Sequence, residues 1–100
     1  MKKLFLIFLM GLLPLSAPGE ERWELELYYK VDCPHCQKVI RFMNRCGIAF
    51  PLFDTQREPA LEEMLLCQTG MDQVPCLMIN GRPLFESDDI ITWLEANILD

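Results

Sequence analysis

Basic residues are scarce in this chain. Nine lysines and arginines stand against fifteen aspartates and glutamates, a formal charge of −6. Such a balance argues against nucleic acid as a partner. Long apolar runs are missing too: the longest covers residues 4–13, ten positions, where a bilayer-spanning helix needs ~20. There is no second C-x-x-C, so a four-cysteine zinc ribbon is unsupported. No lipobox cysteine follows the apolar run, and no repeat or low-complexity segment occurs. One hundred residues leave no room for a second domain, but 51% of them are hydrophobic, enough for one core and too many for a disordered chain.

The apolar run opens after Lys2-Lys3 and closes on Pro14, Ser16, Ala17, Pro18 and Gly19, the layout of a secretory signal. Residues 1–19 therefore read as a signal peptide, or as a membrane anchor if uncleaved, and residues 20–100 as the domain. Loss of the leader leaves seven basic residues against fifteen acidic, a charge of −8. An exported location, periplasmic or otherwise extracytoplasmic, follows from that pattern, with the membrane touched only through an uncleaved leader.

Beyond the leader the hydrophobic period alternates between two and 3.6. Trp23-Glu24-Leu25-Glu26-Leu27-Tyr28-Tyr29 alternates as a strand does. From Pro34, the residues Cys36, Val39, Ile40 and Met43 mark one helix face, and Gly47 is the stop signal. Residues 48–54 form a second apolar run whose Pro51 suits an edge strand. Pro59 can begin a helix with Leu61, Met64, Leu65 and Gln68 on one side and Gly70 at its end. Residues 74–79 and 82–86 flank Asn80-Gly81, a two-residue hairpin signal. Ser87 reads as the N-cap of a last helix, with Asp88 and Asp89 in its first turn and Ile90, Ile91, Leu94 and Ile98 inward. The order is β-α-β-α-β-β-α, an α/β fold.

Cysteine is the chemically interesting residue. The chain has five, Cys33, Cys36, Cys46, Cys67 and Cys76, an odd number, so at least one thiol is free or intermolecular. Cys46 and Cys67 read as small apolar core residues. Cys33-Pro34-His35-Cys36 falls between a strand and a helix, where helix N–H groups and dipole stabilise a thiolate on the first cysteine. Pro34 suits the first helical position because it has no N–H to leave unpaired. His35 adds positive charge beside Cys33, which favours the reduced thiolate and makes a disulfide there more oxidising. A bare C-x-x-C is also half of a zinc site or part of two structural bridges; the strand before it and the helix after it favour redox chemistry.

Three separated stretches resemble the thioredoxin-like superfamily, and within it the glutaredoxins and the N-terminal domains of glutathione transferases. Tyr28-Tyr29-Lys30-Val31-Asp32-Cys33-Pro34-His35-Cys36 is similar to the glutaredoxin active-site segment, including a lysine three residues before the first cysteine. Val74-Pro75 looks like the family's Val-Pro, whose proline is cis. Phe85-Glu86-Ser87-Asp88-Asp89-Ile90 resembles both the glutaredoxin Asp-Asp segment and the transferase Glu-Ser pair. The resemblance covers roughly residues 24–98 and implies a four-stranded mixed sheet with helices on both faces. It implies Cys33 as the nucleophile, Cys36 as the resolving thiol, and Pro34 and His35 as members of the catalytic turn. It also implies a glutathione site made by Lys30, the Val74 backbone, Pro75, Ser87 and Asp88 or Asp89. Read without it, Lys30 is a solvated strand end, and Ser87 with the aspartates is a helix cap.

Two departures bear on direction and substrate. His35 stands where glutaredoxins commonly have tyrosine, and Pro-His between cysteines is carried by periplasmic oxidases of the DsbA type, although their helical insertion has no room here. The helical domain of a transferase is missing as well, which argues against transferase activity. The resulting expectation is an exported thiol–disulfide oxidoreductase acting on protein disulfides or glutathione mixed disulfides. It requires no metal or organic cofactor, takes glutathione as a candidate cosubstrate, and needs a redox partner to recycle Cys33 and Cys36. The alternatives are a module binding a soft metal or a shared iron–sulfur cluster through Cys33, Cys36 and Cys76, or a redox-inert docking domain of the transferase N-terminal type. Cys76, directly after Pro75, is the residue that keeps the metal alternative open.

Overall fold

The structure, a computed structural model, describes residues 23–99. The leader expected over residues 1–19 lies outside them, as do residues 20–22 and Asp100. The elements are β1 (Leu25–Tyr29), α1 (Pro34–Cys46), β2 (Leu52–Asp54), α2 (Pro59–Thr69), β3 (Cys76–Ile79), β4 (Arg82–Phe85) and α3 (Ser87–Leu94), the last prolonged by a π-helical turn, Glu95–Leu99. The predicted order is the observed one. No helix of the described residues is long and apolar enough to cross a membrane.

β1 is an inner strand of a sheet ordered β2-β1-β3-β4. It pairs parallel with β2, through Leu27 with Leu52 and Tyr29 with Asp54, and antiparallel with β3, through Leu25 with Ile79 and Tyr28 with Cys76. The β1–α1–β2 crossover makes the first pairing parallel, and the Asn80-Gly81 turn makes β3 and β4 antiparallel. Both turn residues have positive φ, 50° and 84°, as a two-residue turn matched to strand twist demands. Prolines keep to the margins: Pro51 precedes edge strand β2, and Pro83 lies in edge strand β4.

Because side chains alternate across a strand, the sheet sorts its residues to two faces. Leu25 and Leu27 of β1 and Leu77 of β3 pack with Val39, Phe42 and Met43 of α1 and Ile90 and Leu94 of α3. Tyr28, Cys76 and Met78 point the other way and meet Leu65 of α2 in a smaller cluster. The expected face of α1 holds, with one revision: Phe42 is buried, and Ile40 sits at the rim. Helix α1 closes with a Schellman pattern, Gly47 at φ 71° and the Ile48 N–H donating to the Met43 carbonyl at 2.9 Å.

Three expectations are corrected. On α2 the predicted stripe shrinks, since Leu65 is buried and Leu61 partly so while Met64 and Gln68 are exposed. Apolar residues run all round this helix, so periodicity cannot orient it. Cys67 is exposed on α2 and Cys46 is only partly buried, so neither is a full core residue. Ser87 is not an N-cap: Glu86, at φ 75° and making no side-chain cap bond, holds that position, and Ser87 is the first helical residue, buried.

Leu77, wholly buried in the central cluster, and Leu66, 45% exposed on α2, separate core from surface. Leu77→Ala should cost about 2–5 kcal/mol and Leu66→Ala no more than about 0.5 kcal/mol. Urea unfolding of both variants checks this, and equal losses would show the assignment of the core to be wrong.

Candidate active site

β1 ends at Tyr29, and Lys30-Val31-Asp32 turn the chain into α1. The turn is held from several sides. The Cys33 N–H donates to the Lys30 carbonyl at 3.3 Å, and Gln37 Nε2 reaches back to the Val31 carbonyl at 2.8 Å. Across the parallel pairing, buried Thr55 donates its N–H (2.9 Å) and Oγ1 (3.3 Å) to the Tyr29 carbonyl. Gln56 Nε2 contacts Asp32 Oδ2 at 3.4 Å. The site therefore rests on the end of an inner strand and on the edge strand beside it.

Cys33 is the N-cap of α1, and Pro34 is the first helical residue, as the sequence predicts. Its backbone is extended (φ −97°, ψ 115°), and its Sγ accepts the Cys36 N–H at 3.3 Å. Sulfur thus stands where a cap normally offers side-chain oxygen. A sulfur that accepts an N–H at a helix N-terminus gains most from that contact as an anion. The two cysteines differ sharply in environment. Cys33 is partly exposed, whereas Cys36 is wholly buried and its thiol is pushed up to about 12, first by burial and then by its hydrogen bond with Cys33. One sulfur can meet a partner and the other is kept protonated behind it. His35 is exposed in the same turn.

The other predicted positions differ in exposure. Lys30 and Val74 are partly buried, Pro75 and Ser87 are buried, and Asp88 and Asp89 are exposed. The Val74–Pro75 bond is cis, as the resemblance implies. Gln73 Nε2 binds Glu86 Oε2 at 3.3 Å, joining the segment before Pro75 to the residue before α3. Asp88 forms an ion pair with Lys38 of α1. That pairing holds the Asp88 carboxyl below the usual range, through the hydrogen bond first and the lysine charge second. Lys38 lies off the apolar face of α1, and no local signal marks a pair fifty residues apart.

Cys76 does not join the cysteine pair. It is wholly buried in the α2-side cluster, its sulfur 3.9 Å from the Met78 sulfur, and burial pushes its thiol up to about 11. The α1 side chains Val39 and Met43 pack on the other face of the sheet. Among the described residues no group of three or more His, Cys, Asp or Glu side chains is placed to hold a metal. An open groove of about 550 Å³, lined among others by Trp23, Arg82, Leu84 and Trp93, borders the β3–β4 hairpin and shares no residue with the cysteine turn.

A comparison with known families matches residues 27–98 to the family described as glutathione S-transferase, N-terminal domain. The chain belongs to that family. It is also similar to glutaredoxin 3 of Escherichia coli (strain K12), 24% identical over 66 residues that make up 66% of this chain and 80% of that one. Among solved structures, oxidised glutaredoxin 2 from Chlamydomonas reinhardtii superposes with a TM-score of 0.56 at 26% identity, covering 75% of this chain and 73% of that one. A buckwheat glutaredoxin–glutathione complex gives 0.60 at 22% identity, covering 77% and 73%. The glutathione transferase N-terminal domain and the glutaredoxins thus share with this chain the thioredoxin-like fold that its sheet order and helix placement show.

The raised thiols carry a pH consequence with a definite sign. A thiol whose pKa is higher folded than unfolded keeps its full stabilising contribution below the usual value of 9.0, and the contribution is lost as the unfolded chain ionises more readily. Stability by urea unfolding should therefore fall between about pH 9 and pH 11–12, the window bounded by the Cys76 and Cys36 values. Cys76→Ala should be less stable at pH 8 but show a shallower fall; an unchanged slope would refute the contribution assigned to Cys76.

Proposed function

We propose that the chain is a thiol–disulfide oxidoreductase in which Cys33 is the attacking sulfur and Cys36 resolves the intermediate. The observation that carries this reading is the asymmetry of the pair: a partly exposed Cys33 sulfur at the helix N-cap, 3.3 Å from the Cys36 N–H, with Cys36 buried behind it. Its family and its likeness to glutaredoxins support it.

In the reducing direction, the Cys33 thiolate attacks one sulfur of a substrate disulfide. A new S–S bond forms, and the other substrate sulfur leaves as a thiolate that takes up a proton. The Cys36 thiol then gives up its proton and attacks the Cys33 sulfur, releasing the second substrate thiol and leaving a Cys33–Cys36 disulfide. Two electrons have passed from the pair to the substrate. Run backwards, the same steps donate a disulfide. Pro34 fixes the first helical residue, and His35 supplies nearby positive charge that favours the thiolate. The high value for Cys36 fits a resolving group that stays protonated until the mixed disulfide has formed.

The substrates in this reading are protein disulfides or glutathione mixed disulfides. Glutathione, bound in the buckwheat relative, is the candidate cosubstrate here, with Lys30, Val74, Pro75, Ser87, Asp88 and Asp89 as the surface that would receive it. No metal or organic cofactor enters the cycle. The signal-like pattern of residues 1–19 supports action outside the cytoplasm, where a separate redox partner recycles the pair.

Cys33→Ser should abolish turnover, a loss of at least about a thousandfold, while Cys36→Ser should keep activity on glutathionylated substrates and lose it on protein disulfides. Full activity of Cys33→Ser would end this reading. Equilibration of the pair in glutathione buffers, with free thiols counted, sets the direction: a value near ~−120 mV marks a disulfide donor, and one near ~−200 to −270 mV a reductase.

A further inference from the structure

The chain has two tryptophans, Trp23 and Trp93, and both line the open groove at the β3–β4 hairpin. Strand alternation explains how they meet. Trp23 is two residues from Leu25, and Arg82 two from Leu84, so both stand on the face of the sheet that α1 and α3 cover. Trp93 reaches the same face from α3, next to buried Leu94. The indoles meet edge to face, with ring centroids 5.0 Å apart and planes at 80°, and both pack with Ile79 and Leu84 against the main core. Two exposed polar side chains, Arg82 and Asn80, border this apolar floor. Asn80 Oδ1 already accepts the Glu24 N–H at 2.7 Å, which leaves its side-chain amide nitrogen as a donor. Among the described residues Arg82 enters no ion pair.

We propose that this groove binds a small aromatic carboxylate, its ring seated in the corner of the two indoles and its carboxylate on Arg82 and the Asn80 amide. Two perpendicular rings suit a third, which stacks on one and meets the other edge to face. A guanidinium holds a carboxylate through paired N–H donors. The volume of about 550 Å³ falls within the range of small-molecule sites, which are mostly apolar with a few convergent polar groups. Charge selects the occupant. Of the described residues that line the groove, Arg82 alone carries charge, in a chain of net charge −6. A compact anion gains from the one guanidinium at hand, whereas an acidic protein surface meets the repulsion of the rest of the chain. Because Arg82 is exposed, the preference for the anion is modest, about fivefold. The groove shares no residue with the cysteine turn, so this binding stands or falls independently of thiol–disulfide exchange.

The test follows the two indole N–H signals in the proton–nitrogen correlation spectrum of the full-length chain, which report on this groove because the chain has no other tryptophan. 3-Phenylpropionate should shift both signals saturably, with a Kd of about 1 mM, ordinary for so small a ligand. 3-Phenylpropionamide, its neutral analogue, should bind about fivefold more weakly. Arg82→Met should bring acid and amide to within about twofold of each other, and Arg82→Lys should keep part of the preference. Arg82 is exposed, so neither change threatens the fold. The proposal is overturned if the signals do not shift saturably, if the amide binds as well as the acid, or if Arg82→Met leaves the preference intact. It is overturned too if Gly-Gly-Phe binds wild type about tenfold more tightly than 3-phenylpropionate, which would make the groove a receptor for a protein C-terminus. Binding that emerges only after Glu20→Gln with Glu21→Gln overturns it as well, by making the chain's own acidic segment the occupant.

Discussion

A sulfur atom caps a helix here, and the site depends on that contact. The Cys36 N–H needs an acceptor because the first turn of any helix leaves its N–H groups unpaired. Cys33 Sγ fills the role at 3.3 Å. Thiol sulfur is a weak acceptor, so the contact depends on the turn that holds Cys33 close to the start of α1. Pro34, without an N–H, reduces the number of donors to be satisfied. Gln37, reaching back to the Val31 carbonyl, fixes the loop that brings the sulfur to its place.

That contact can be held in position because β1 is covered on both faces. Leu25 and Leu27 anchor it to the α1 and α3 side, and fully buried Tyr28 anchors it to the α2 side. The two sides are unequal: eight buried residues form the first cluster and four the second. α2 contributes one fully buried residue, Leu65, with partly buried Leu61 beside it, while α1 and α3 pack both on the sheet and against each other. Local stability follows buried apolar contact. The helices that carry Cys33, Cys36, Lys38 and Asp88 therefore belong to the better-anchored half of the domain.

What could be read in the sequence was what local chemistry decides. Pro34 and Gly47, Pro59 and Gly70, and Asn80-Gly81 each fix a boundary through backbone conformation, and α1, α2 and the hairpin lie where those residues put them. The cysteine turn was legible for the same reason. The facing of α2 was not, because Met64, Leu66 and Cys67 are as apolar as the buried Leu65 and only the shape of the sheet chooses among them. The α3 entry misled because Ser87 looks like a cap in sequence. Glu86 takes the capping position, at a φ that side chains rarely adopt, and Ser87 is buried as the first helical residue. The Lys38–Asp88 pair depends on α1 packing against α3 and has no trace in either segment alone.

Cys76 shows how one register decision separates two chemistries. It directly follows Pro75, and a thiol beside Cys33 and Cys36 would have supplied the third sulfur of the metal alternative. In a strand, consecutive side chains point to opposite faces, and a slip of one residue exchanges them all. The pairing of Tyr28 with Cys76 and Leu27 with Leu77, locked by the two-residue turn at Asn80-Gly81, puts Leu77 toward α1 and Cys76 toward Leu65. Slipping the register would bury the thiol against Val39 and Met43 and expel Leu77 from the main core, at a cost of several kcal/mol for a fully buried leucine. The hydrophobic pattern of β3 therefore commits Cys76 to the interior of the α2 face, apart from the two cysteines of the turn.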